Sequence, residues 1–198
     1  LVEDADHLLA SAPVRIARAG AAPAPVAQMA ALLSGARRPL ILAGGGAIDA
    51  SAALTRLAEY LQAPVALTIN AKGVLPADHP LQIGSTQSLV ATRALVAEAD
   101  VVLAIGTELA ETDYDVTFKG GFEIPGRLLR IDIDPDQTVR NYPPEIALVA
   151  DATVATQALL VALAELPAPV RGSDWGASRA ERLRATLLAD WDLPMHSQ

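Results

Sequence analysis

Five short, mostly apolar runs constrain this chain more than any other feature: residues 39–43, 64–68, 100–106, 128–133 and 146–149. The first ends in Gly44-Gly45-Gly46 and the third in Gly106. They lack the in-out alternation of a half-exposed strand, so they read as strands buried on both faces. Segments of helical period lie between them. Leu54, Leu57, Ala58 and Leu61 share one face after Asp49 or Ser51 as N-cap, and residues 89–99 read as a second helix. Asp134-Pro135 starts a short helix, and residues 153–164 form another, with Ala158, Leu159, Ala162 and Leu163 as its apolar face. Strands that alternate with helices argue for an α/β fold. The expected architecture is a Rossmann-like parallel sheet of about five or six strands, with helices on both faces and right-handed crossovers.

The 198 residues suit one domain with appendages. Residues 1–38 are expected to be a linker and lead-in, punctuated by Pro13, Pro23 and Pro25, with a helix over 26–33. Residues 39–165 hold the α/β domain, and residues 166–198 a linker with Pro167 and Pro169 and a helix over 175–190. The first residues, Leu1-Val2-Glu3-Asp4, carry neither an initiator Met nor a basic segment before an apolar one, and read as the start of an excised piece.

Composition narrows the function. No apolar run approaches the roughly 18 residues that a membrane helix needs. The net charge is −8 and no basic cluster is longer than Arg37-Arg38, which argues against a nucleic-acid partner. There is no cysteine, hence no disulfide, thiolate metal site or cysteine nucleophile, and a reducing, cytoplasmic setting fits.

Ligands of open parallel sheets bind beyond the carboxyl ends of the strands. The residues there are Gly44, Gly45, Gly46, Thr68, Asn70, Lys72, Gly106, Thr107, Asp132, Asp134 and Asp151, and of these Gly44, Gly45, Gly46, Thr68, Lys72, Gly106, Asp132 and Asp151 are the candidate cofactor-binding residues should a nucleotide bind. The triple glycine can bring backbone N–H groups to a pyrophosphate. However, Gly44-x-Gly46-x-x-Asp49 lacks the third glycine of the dinucleotide fingerprint, and strand two ends in Thr68 rather than in an acid for a ribose, which speaks against NAD. Asp132 and Asp134 share a face and can hold a ribose diol or a cation, although Asp134 before Pro135 also reads as a helix cap. Lys72 can pair with a phosphate or stand solvated. His7, His79 and His196 lack metal-ligand spacing, and His79 before Pro80 reads as a loop hydrogen-bonder. Glu108, Glu111, Asp113 and Asp115 make one loop acidic: a solvated rim, or an attractor of cationic ligands if it edges a pocket. Neither a nucleophile elbow nor a phosphate-binding P-loop occurs, so the residues alone give a ligand-competent domain with no catalytic and no metal-binding constellation.

Six blocks carry a more specific signal. They are Pro39-Leu-Ile-Leu-Ala-Gly-Gly-Gly46, Pro64-Val-Ala-Leu-Thr68, Asn70-Ala-Lys-Gly-Val-Leu-Pro-Ala-Asp-His-Pro80, Ala99-Asp-Val-Val-Leu-Ala-Ile-Gly106, Ile131-Asp-Ile-Asp-Pro135 and Val149-Ala-Asp-Ala152. In this order and spacing they resemble the central domain of thiamine-diphosphate-dependent enzymes of the acetolactate synthase and 2-oxo acid decarboxylase superfamily. The resemblance implies a three-domain subunit whose pyrimidine-binding and diphosphate-binding domains flank this one in the same chain, in a homodimer or homotetramer. It implies thiamine diphosphate and Mg²⁺ in the full-length enzyme but not on this piece, because no Gly-Asp-Gly occurs in it. Some members hold FAD or ADP in the central domain. Here Gly84-Ser-Thr-Gln87 stands in place of their Gly-Met-His-Gly-like turn, and Glu108 follows Gly106-Thr107 where an arginine would face the pyrophosphate. The loop from Gly106 to Asp115, with Gly120-Gly-Phe122, looks more like decarboxylases of guanidino 2-oxo acids than like biosynthetic acetolactate synthases. The leading expectation is thus a structural and assembly domain of a lyase or transferase that is inactive alone. A freestanding module for FAD, ADP or NAD is the alternative, and a sirtuin-like relative a third, disfavoured by the absence of zinc-binding cysteines.

Overall fold

The computed structural model describes residues 17–110 and 123–191. Five strands, β1 (Pro39–Ala43), β2 (Val65–Leu67), β3 (Val101–Ile105), β4 (Arg127–Asp132) and β5 (Ile146–Val149), form one parallel sheet in the order β2-β1-β3-β4-β5. Residues 81–84 add a short sixth member beyond β2: the Val65 amide donates to the Leu81 carbonyl at 2.8 Å, and the Ile83 amide to the Val65 carbonyl at 2.9 Å. The helices are α1 (Pro23–Gly35), α2 (Ser51–Leu61), α3 (Val90–Glu98), α4 (Pro135–Val139), α5 (Ala152–Ala164) and α6 (Ala177–Trp191). No helix among the described residues is long and apolar enough to cross a membrane.

Every residue of β1 and β3 is buried, as an unalternated apolar strand between two helical layers requires. On one face Ile41, Leu103, Ile105, Leu129, Ile131 and Leu148 pack against α1, α2 and α5 through Met29, Leu33, Leu54, Leu57, Leu159 and Leu163. On the other, Leu40, Leu42, Val102 and Leu128 meet Leu95 and Val96 of α3 and Ala180, Leu183 and Leu187 of α6. Fully burying one such side chain stabilises by about 1.5–3 kcal/mol.

Local details differ from the sequence reading. Neither Asp49 nor Ser51 caps α2, because a 3₁₀ turn over Gly45–Ala50 runs straight into it. The Ser51 hydroxyl instead donates to the Val74 carbonyl at 2.6 Å, and Asp49 accepts from Arg18 at 3.2 Å. The buried stripe of α5 is Ala152, Ala155, Thr156, Leu159 and Leu163, while Ala158 and Ala162 pack against the same core only partly buried, at the margin of that stripe.

Residues 171–191 are pinned to the sheet. The Arg171 guanidinium donates to the carbonyls of Leu61 (2.6 Å), Ser34 (3.2 Å), Leu33 (3.3 Å) and Ala36, so one cation satisfies orphan carbonyls at the carboxyl ends of α1 and α2. Burial lowers its pKa against the opposing pull of Asp100 and Tyr60, yet a guanidinium stays charged. The Asp100 carboxylate takes the amides of Arg37 and Arg38 at 2.8 and 2.9 Å and so fixes the entry to β1. Trp175 is 6% exposed and its indole N–H donates to the Pro39 carbonyl at 2.7 Å. Arg179 holds Glu98 through two bonds of 2.9 and 3.1 Å, tying α6 to α3. Trp175→Ala is therefore expected to cost roughly 3–5 kcal/mol in urea denaturation. A midpoint equal to that of the unsubstituted chain would show that this segment is no part of the cooperative fold.

Candidate functional site

The strand order reverses between β1 and β3, and in doubly wound sheets a crevice opens there at the carboxyl ends. A cavity of about 240 Å³ occupies this position. Gly44, Gly45 and Gly46 after β1 form one wall, and Gly106, Thr107 and Glu108 after β3 another. Thr68, Asn70 and Ala110 complete the lining among the described residues.

The glycines are required because two backbones touch. A Cβ on Gly44 would lie 2.2 Å from the Gly106 carbonyl oxygen, and one on Gly106, at φ +56°, would lie 2.5 Å from the Gly46 carbonyl carbon. The Gly44 amide donates to Ile105 at 2.9 Å and the Gly46 amide to Gly106 at 3.0 Å. These two N–H groups of the triple glycine are thus spent within the protein rather than turned toward a phosphate.

The β3 turn is held from the other side by residues that sequence reasoning missed. Arg130, 1% exposed within β4, donates to the Thr107 carbonyl at 2.9 Å and to the Arg140 carbonyl at 2.7 Å. Asn141, itself at φ +62°, donates to the Leu109 carbonyl at 3.0 Å. Leu109 is buried at φ +51°, a conformation costly for a branched side chain that persists only where its surroundings enforce it. The available signal was a cation in the middle of a strand whose neighbours are all apolar, since such a group must find partners inside.

Of the residues singled out on sequence, Gly44, Gly45, Gly46, Thr68 and Gly106 meet at the cavity, and Lys72, Asp132 and Asp151 do not line it. Lys72 is exposed at the end of a 3₁₀ turn over Ile69–Ala71. Asp132 accepts from the Asp134 amide at 3.0 Å, and Asp134 caps α4 through the Asp136 amide at 2.9 Å. Asp151 caps α5, accepting from the amides of Thr153 (3.0 Å) and Val154 (3.1 Å), and pairs with Arg18 at 3.1 Å. His79 accepts from the Leu81 amide and meets Glu59, each at 3.3 Å, as a loop hydrogen-bonder would. His7, His196, Glu111, Asp113, Asp115 and residues 120–122 lie outside the described residues.

The donor set decides which groups fit. Glu108 is the only charged residue among the described lining, with no Lys or Arg beside it, so the cavity does not suit a nucleotide diphosphate. No cluster of three or more His, Asp or Glu side chains is placed to hold a metal ion among the described residues.

A family model for the thiamine pyrophosphate enzyme central domain matches residues 26–159. Over 157 residues the chain is 43% identical to the "Probable 2-ketoarginine decarboxylase AruI" of Pseudomonas aeruginosa, covering 79% of this chain and 27% of that protein. Over 149 residues it is 37% identical to the "Probable acetolactate synthase large subunit" of Methanocaldococcus jannaschii, covering 73% and 25% respectively. Benzoylformate decarboxylase from Polynucleobacter necessarius shares the fold at a TM-score of 0.64 and 24% identity, over 81% of this chain and 31% of that one. The chain spans about a quarter of the length of the curated relatives it matches.

Two substitutions test this geometry. Gly106→Ala is expected to destabilise by roughly 2–6 kcal/mol, from left-handed strain plus the clash with Gly46, read as a fall in the urea midpoint. For Asp151, partial burial pushes the carboxyl up, but hydrogen bonds from Val154, Arg18 and Thr153 outweigh this and hold it below its ordinary 3.8. A depressed folded value means stability that is present above 3.8 and lost as pH falls through the folded value. Asp151→Ala is expected to cost about 1 kcal/mol at neutral pH. The gap between variant and unsubstituted chain then narrows through that acid window, and a gap independent of pH would remove the carboxylate from the explanation.

Proposed function

The chain belongs to the thiamine pyrophosphate enzyme central-domain family, and from that premise we propose that it is the middle, non-catalytic domain of an enzyme acting on 2-oxo acids. The match across residues 26–159 carries this reading. Carbanion chemistry in such enzymes is the cofactor's own, with thiamine diphosphate and Mg²⁺ held by flanking pyrimidine-binding and diphosphate-binding domains of the same polypeptide. This domain's part is orientation. Its sheet is closed on both faces by helices, and Arg171 and Trp175 fix the path of the chain from α5 to α6, so what it joins is held at a set spacing.

The substrate class we assign is a 2-oxo acid with a guanidino side chain, undergoing decarboxylation, with acetolactate synthase-like carboligation as the other branch. Identity to the 2-ketoarginine decarboxylase, 43% against 37% for the acetolactate synthase subunit, favours the first. A cytoplasmic homodimer or homotetramer is part of the same proposal.

The test is an assay of the full-length gene product. CO₂ release from 2-oxo-5-guanidinopentanoate, dependent on added thiamine diphosphate and Mg²⁺, is the expected result, with no turnover by the 198-residue chain alone. Release from pyruvate only, with acetolactate as product, would move the assignment to carboligation. A full-length reading frame without a Gly-Asp-Gly…Asn segment beyond this domain would overturn it.

A further inference from the structure

We infer that the cavity between the ends of β1 and β3 is a binding site for a small organic cation, one with a guanidinium or alkylammonium head. Its volume of about 240 Å³ equals roughly eight water volumes, room for a compact solute. Three observations set the class. First, its charge is negative: Glu108 is exposed at the cavity, and no cation lines it among the described residues. Arg18 is engaged with Asp151 and Asp49, Arg130 with the carbonyls of Thr107 and Arg140, and Lys72, two residues beyond Asn70, is exposed and does not line the cavity.

Second, the cavity has acceptors to offer. Thr68 lines it, is only 6% exposed, and its hydroxyl makes no hydrogen bond within the described protein. That hydroxyl is left available to a donor on a ligand. Asn70 adds a carboxamide, which carries an oxygen acceptor as well as N–H donors. The amides of Gly44 and Gly46 are already bonded to Ile105 and Gly106. An N–H-rich cation matches Glu108 and these acceptors, whereas the carboxylate repels a phosphate.

Third, the carboxylate is carried on a preset loop. Arg130 and Asn141 grip the carbonyls on either side of Glu108, and Leu109 is held in the left-handed region, so little ordering remains to be done on binding.

The experiment titrates the full 198-residue chain with agmatine and, separately, with ADP at low ionic strength, followed by calorimetry and by amide NMR signals. Agmatine is expected to saturate and to move the signals of residues 44–46, 68–70 and 106–108, while ADP leaves them in place. Glu108→Gln, at an exposed position that leaves the fold intact, should weaken agmatine roughly tenfold or more, and Thr68→Val by a smaller factor. Methylguanidine and butylamine as separate titrants tell which head is taken. Saturation of these signals by ADP, no movement with agmatine, or equal agmatine affinity in Glu108→Gln would each overturn the inference. The proposed function stands or falls separately, on the full-length assay above.

Discussion

Two turns of bare backbone meet at the carboxyl end of the sheet, residues 44–46 after β1 and Gly106 after β3, joined by the Gly46 amide 3.0 Å from the Gly106 carbonyl. Side chains are excluded by contact, since any Cβ at Gly44 or Gly106 would overlap the opposing main chain. This approach lets β1 and β3 lie side by side to their last residues, from Pro39↔Val101 to Ala43↔Ile105. It also sets the width of the crevice where the strand order reverses. The described residues that line the cavity hang on one of these two turns or on the end of β2 beside them.

Much of the fold was legible because it is written in local patterns. Residues 39–43 and 146–149 are strands with the boundaries their apolar runs imply, and Asp134 caps α4 as Asp before Pro predicts. The rest depends on contacts between residues far apart in sequence. That residues 175–191 cover the second face of the sheet cannot be read from their own period, because the partner of Trp175 is the carbonyl of Pro39. The 3₁₀ turn over Gly45–Ala50 displaced the expected cap of α2 because the β1–β3 contact dictates how the chain leaves the strand.

The candidate site was half legible for the same reason. A general rule about strand ends found Gly44, Gly45, Gly46, Thr68 and Gly106, and it also pointed to Asp132 and Asp151, whose carboxylates serve backbone amides instead. Arg130 escaped notice because inside an apolar strand it resembles a breach of pattern. Its burial makes sense only when the carbonyls of Thr107 and Arg140 converge on it. Glu108, read on sequence as part of an acidic loop that could edge a pocket, stands on the wall of the cavity.

The crossing of the chain beneath the sheet, from α5 on one face to α6 on the other, has a mechanical side. With α1 and α6 on opposite faces, the two helices are held apart by the thickness of the sheet, and Arg171 and Trp175 are the rivets that keep the connecting segment from slipping.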